Sequence, residues 1–185
     1  MAIILASKSP RRQELLSLMG IKFSACAADI DEKIDEHLPI EQEISRISRQ
    51  KAEAIGDDEN IIISADTVVV LGNTVMGKPK SEENAREMLS SLSGKTHSVI
   101  TAVTVKKGDK IRTKAITTEI VFRKLSDREI DSYVESGSPM DKAGAYGIQE
   151  KAATFVEEIR GDYFSVVGLP VCTLATMLLE FGVEI

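Results

Sequence analysis

The chain has 185 residues, 43% of them hydrophobic, enough to bury a full core as one domain. A net charge of -6 and a sequence pI of about 5.1 exclude a general nucleic-acid binder or a membrane-surface protein, so any basic site has to be local. With no apolar run near the ~18 residues of a membrane span and a short apolar start, "MAIILAS", the expectation is a soluble cytoplasmic protein.

"AIILA" (2–6) reads as a buried strand. The helix after it has Ser9 at its cap, Pro10 at its first position, Leu15, Leu16 and Met19 on its apolar face, and Gly20 at its end. "FSACAA" (23–28) is a second strand, and the acidic "DIDEKIDEHLP" (29–39) a loop. Ile40, Ile44, Ile47 and Ala54 then fall at helical spacing, on a helix that carries Lys51 toward its end. A buried strand is predicted at 61–64, and Gly72-Asn73 marks a hairpin turn between Val70 and Val75.

"SEENAREMLSSLSG" (81–94) is a helix with Ser81 as cap and Gly94 beyond its end. Two β-rich segments, 96–106 and 111–123, flank "KKGDK", and "SDRE" (126–129) matches a capping box. "AATFVEEI" (152–159) reads as a strand and "GLPVCTLATMLLEFG" (168–182) as a terminal helix with Pro170 near its start. The alternation predicts a mixed α/β domain with antiparallel as well as parallel strands. Cys26 and Cys172 sit in apolar stretches and read as buried thiols, and His37 and His97 complete no zinc pattern.

Four stretches have the composition of a site. In "SKSPRR" (7–12), a strand-to-helix turn offers backbone N–H groups, the hydroxyls of Ser7 and Ser9, and two guanidinium forks, Arg11 and Arg12. Arginine in a first helical turn opposes the helix dipole, and a bound anion would resolve that conflict; the plain alternative is a Ser-Pro cap with solvated arginines. In "IIISADT", Asp66 ends an apolar run, where an ionised carboxylate needs partners and where α/β folds gather catalytic groups; the plain alternative is a turn-forming aspartate bonded to nearby backbone. Lys51, Lys78 and Lys80 each read, taken singly, as solvated surface lysines; Gly77 and Pro79 around Lys78 in "GKPK" fix the backbone and favour it as a cation for phosphate, although the P-loop spacing is missing. "DKAGAYGIQ" (141–149) combines glycine backbone that permits close approach with the amide of Gln149, which can read a nucleobase edge; on these residues alone the plain alternative, an irregular loop with a polar residue facing water, is the stronger reading. Asp29, Asp31 and Glu32 add carboxylates suited to a hard cation, without the calcium-loop pattern. The set suits a nucleotide or another polyphosphate.

"LASKSPRRQELL", "SADTVVV", "GKPKSEENAREMLSSLSGKTHSVITAV", "YVESGSPMDKAGAYGIQ" and "GDYFSVVGLPV" resemble, in order, the motifs of the Maf family, from residue 5 to about 171. The resemblance implies the inosine-triphosphatase-like α/β fold: a single domain over 1–185 with a long mixed sheet and two lobes with a cleft between them. It implies a nucleoside triphosphate pyrophosphatase of the branch acting on dTTP, UTP and modified pyrimidine nucleotides, in house-cleaning of the nucleotide pool. By the same resemblance Asp66 matches the proposed proton acceptor, and Arg12, Thr67 and Gln149 match positions linked to substrate choice. Ser7, Glu32, Lys51 and Lys78 match other residues implicated in activity; Arg11 is added by adjacency. Ser64 stands where the family more often has glycine, and Glu150-Lys151 where a small residue is common.

The expected chemistry is attack of water on the α-phosphorus, with Lys51, Lys78 and the arginines neutralising the triphosphate. The expected cofactor is a divalent cation, magnesium or manganese, on Asp66 with Glu32; Asp66 is left open between base, metal ligand and both. The expected partner is the nucleotide alone, with neither nucleic acid nor membrane, and a homodimer is neither required nor excluded. Two rival readings stand beside this one. The first is a nucleotide-sensing regulatory module, since the family is also associated with septum formation and cell division. The second is the same chemistry on another noncanonical base.

Overall fold

In the computed structural model, which describes residues 2–30, 33, 34 and 38–185, the sheet has seven strands in the order β2-β1-β3-β5-β6-β7, with β4 paired to β3. The strands are β1 (Ile3–Ala6), β2 (Ser24–Cys26), β3 (Ile61–Leu71), β4 (Thr74–Met76), β5 (Thr96–Lys107), β6 (Lys110–Phe122) and β7 (Val156–Arg160). The helices are α1 (Pro10–Leu18), α2 (Ile40–Glu53), α3 (Glu82–Leu92), α4 (Asp127–Glu135), α5 (Tyr163–Val167) and α6 (Val171–Glu180). β1 lies parallel to β2 and to β3, whereas β3–β4 and β6–β7 are antiparallel, so the sheet is open and mixed as its punctuation predicts.

The chain divides into two units, Met1–Thr67 with Thr101–Ile116 and Gly168–Ile185, and Val68–Ile100 with Thr117–Val167. In the first, Leu5, Leu16, Ile44, Ile47, Ile61–Ile63, Leu174 and Leu178 are buried. α2 follows Pro39, carries Glu41 and Glu43 in its first turn and Lys51 in its last, and so runs with its dipole. Its inward stripe is Ile44, Ile47, Ser48 and Lys51; burial of each isoleucine contributes roughly 2–3 kcal/mol. An ammonium on that stripe, 7% exposed, is out of place in a purely structural helix.

In the second unit, Leu89, Leu92, Phe122, Tyr133 and Phe155 are the large buried side chains. Gly72-Asn73 turns the β3–β4 hairpin in the expected register, Val70 opposite Val75. Ser81 caps α3 by accepting from the Asn84 amide, and Ser126 and Glu129 form the expected capping box of α4.

Three expectations are corrected. "AATFVEEI" is not one strand: residues 151–155 form a 3-10 turn that buries Ala152 and Phe155, and β7 begins only at Val156. α5, a five-residue turn of helix, was absent from the expected elements. Neither cysteine is a buried thiol, for Cys26 is half-buried and Cys172 exposed on the outer face of α6; both are free.

Candidate functional site

Parallel pairing of β1 with β3 brings the chain out of both strands at one end of the sheet, with Leu5 opposite Ile63. Ser7 follows β1 at that end, 8% exposed, and Asp66 and Thr67 lie beyond Ile63 on β3. Two arrangements result within the first unit.

The first is an ion pair. Lys51 Nζ donates to Asp66 Oδ1 at 2.6 Å, the side chains being 8% and 13% exposed. Nothing among the described residues hydrogen-bonds to Oδ2 of the same carboxylate. Behind the pair, hydroxyls pin α2 to the sheet: Ser64 Oγ donates to the Ser48 carbonyl at 2.6 Å, and Ser48 Oγ lies 2.9 Å from Thr104 Oγ1. Ser64 is two residues before Asp66 and Ser48 three before Lys51, so this network fixes the backbones from which both charges project.

The second is a knot around Arg12. Its guanidinium donates from Nε to the Gly168 carbonyl at 2.9 Å, from one terminal nitrogen to Thr67 Oγ1 at 3.2 Å, and from the other to Ser7 Oγ at 3.4 Å. Thr67 Oγ1 also lies 2.9 Å from Thr101 Oγ1. These three acceptors are neutral and orient the fork. Ser9 occupies the N-cap position of α1 but makes no side-chain cap bond; its amide donates instead to Ser7 Oγ at 3.2 Å. Arg11, next in the turn, is half-buried.

In the second unit two more motifs meet. The Gly144 amide donates to the Gly77 carbonyl at 3.0 Å, which fastens the "AGAYG" loop to the turn that bears Lys78. Gly144 has φ +67, and a Cβ there would lie 2.8 Å from Val69 Cγ2, so glycine is required on both counts. Lys78 and Gln149 are both exposed. His97 and Tyr146 support the loop from below, with Nε2 2.8 Å from the phenol oxygen; burial lowers the imidazole to about 4 and raises the phenol.

Glu32 and His37 lie outside the described residues. Sequence reasoning missed Gly168, Thr101, Ser48 and Lys142. Only Lys142 carried a signal, as a lone cation inside a run of small residues.

A family model described as Maf-like protein matches residues 2–181. The chain belongs to the Maf family. Among its Maf relatives, the dTTP/UTP pyrophosphatase of Desulforamulus reducens is 45% identical over 188 residues, covering 99% of this chain and 98% of that protein. The dTTP/UTP pyrophosphatases of Bacillus cereus and Bacillus anthracis are 44% and 43% identical over 185 residues, each covering 99% of this chain and 97% of the relative.

Among the described residues no group of three histidine, cysteine, aspartate or glutamate side chains is assembled, so this Maf protein offers no all-protein metal cage there. Magnesium in triphosphate sites typically takes one or two carboxylates and fills its shell with phosphate oxygens and water. The open Oδ2 of Asp66 fits that mode of binding.

Proposed function

We propose that this Maf protein hydrolyses pyrimidine nucleoside triphosphates, dTTP and UTP with their modified forms, to the monophosphate and pyrophosphate. The observation that carries the reading is the Lys51–Asp66 pair: a cation held against one oxygen of a carboxylate whose other oxygen bonds to no described residue, on an apolar strand. Family membership and the names of the relatives support the same reaction.

In this reading water adds to the α-phosphorus as its bond to the bridging oxygen breaks, and the water proton passes to Asp66. Lys51 pairs with that carboxylate and faces the negative charge of the phosphates. Arg12, aimed by Gly168, Ser7 and Thr67, forks onto phosphate oxygens, and Arg11 and the Ser7 hydroxyl assist it. Lys78 neutralises the departing pyrophosphate. Asp66, with Glu32 as second carboxylate, would hold a magnesium or manganese ion. That ion would supply charge neutralisation on the triphosphate.

Uracil and thymine present an N–H between two carbonyls. The amide of Gln149 complements that edge, and a purine in its place leaves polar groups unpaired. The test is pyrophosphate release from a panel of triphosphates with magnesium or manganese: preference for dTTP and UTP supports the reading. Binding without turnover would favour the nucleotide-sensing module.

A further inference from the structure

The loop that carries Gln149 is closed by an ion pair between its two ends. Lys142, 5% exposed, donates from Nζ to the Ser138 carbonyl at 2.6 Å and to Asp141 Oδ1 at 2.7 Å, and pairs with Glu150 Oε1 at 3.0 Å. Residues 142 and 150 thereby form a ring around the seven residues between them. The Lys142 stem lies flat on Gly147, where a Cβ would come within 2.5 Å of Lys142 Cε and 3.4 Å of Glu150 Cδ.

Two more bonds fix the ring to α4. The Gly147 amide donates to the hydroxyl of buried Tyr133 at 3.1 Å, and Lys151 Nζ donates to Ser132 Oγ at 2.8 Å. Lys142, Glu150 and Lys151 are each held by a partner, while Gln149 itself is exposed and its amide bonds to no described residue. An ammonium buried this far is costly unless paired, and an apolar side chain would fill the space as well. What the pair adds is a defined geometry at the base of Gln149.

We infer that the Lys142–Glu150 clasp sets the position of Gln149 and thereby the preference for a pyrimidine over a purine nucleotide. Lys142 and Glu150 are positioning residues, and the inference rests on the assignment of Gln149 to the base.

The test compares kcat/KM for UTP and GTP, measured as pyrophosphate release by the full chain. Both substrates carry the same triphosphate, so the ratio cancels effects on phosphate binding. Glu150→Gln keeps the size of the side chain and removes its charge. It should lower the UTP:GTP ratio about fivefold, chiefly through KM for UTP, and Glu150→Asp should restore part of it. Glu150 is 38% exposed, so added sodium chloride should erode the ratio in the wild type but not in Glu150→Gln. Amides of residues 143–149 should exchange faster in that variant.

An unchanged ratio in Glu150→Gln, with a lowered one in Gln149→Ala, would overturn the clasp and leave the role of Gln149 standing. An unchanged ratio in Gln149→Ala would remove both. Should no nucleotide be turned over, the ratio of UTP and GTP dissociation constants reads the same contrast.

Discussion

The ammonium of Lys51 lies 2.6 Å from the carboxylate of Asp66, with one residue on the inward stripe of a helix and the other on a buried strand. Lys51→Met would leave that carboxylate without its cation, 13% exposed. Breaking a buried pair from one side costs roughly 3–5 kcal/mol, and the residual exposure places this one near the lower end. Urea denaturation should show that loss, and turnover should fall at least ~100-fold.

Arg12→Lys should behave as a severe change. Lysine keeps the charge but cannot serve Gly168, Thr67 and Ser7 at once with a fixed fork. We expect kcat/KM for UTP to fall roughly 10- to 100-fold, with only a small change in thermal midpoint. Steady-state kinetics beside a melting curve separates the two effects.

Gly144→Ala combines a positive φ with a Cβ 2.8 Å from Val69. The expected cost is about 3 kcal/mol, the sum of left-handed strain and overpacking. Adding Val69→Ala should recover the packing part but leave the strain. Denaturation of the single and double variants measures this directly.

Burial holds His97 near a pKa of about 4, against 6.5 for a free imidazole. Between those two values the unfolded chain binds more protons than the folded one, so stability rises with pH there. The contribution is full above 6.5 and is lost as pH falls toward about 4. In His97→Gln the slope of unfolding free energy against pH should flatten over that window.

The local devices of the fold were legible because they are written in neighbouring residues. Gly72-Asn73 set a register, Ser81 and Ser126 set two caps, and the spacing of Ile44 and Ile47 marked the helix that carries Lys51, whose own burial the spacing did not announce. What failed depended on distant partners in one case and on local coiling or helical phase in two others. Arg12 finds an acceptor 156 residues away at Gly168, and no pattern near Arg12 announces it. The turn at 151–155 has the apolar content of a strand, yet it buries Ala152 and Phe155 by coiling tightly. Cys172 lies in an apolar run but on the solvent side of α6, where helical phase decides exposure and composition does not. Of the expected site residues, the structure joins Ser7, Arg12 and Thr67 in one network and Lys51 with Asp66 in another.

The most direct measurement is pyrophosphate release from UTP by Asp66→Asn beside the wild type, with magnesium and with manganese. The substitution keeps the shape of the side chain and removes the charge that pairs with Lys51. Turnover should fall in both metals by at least ~1,000-fold, with the thermal transition of the variant still cooperative. Full activity in a folded Asp66→Asn protein would contradict it.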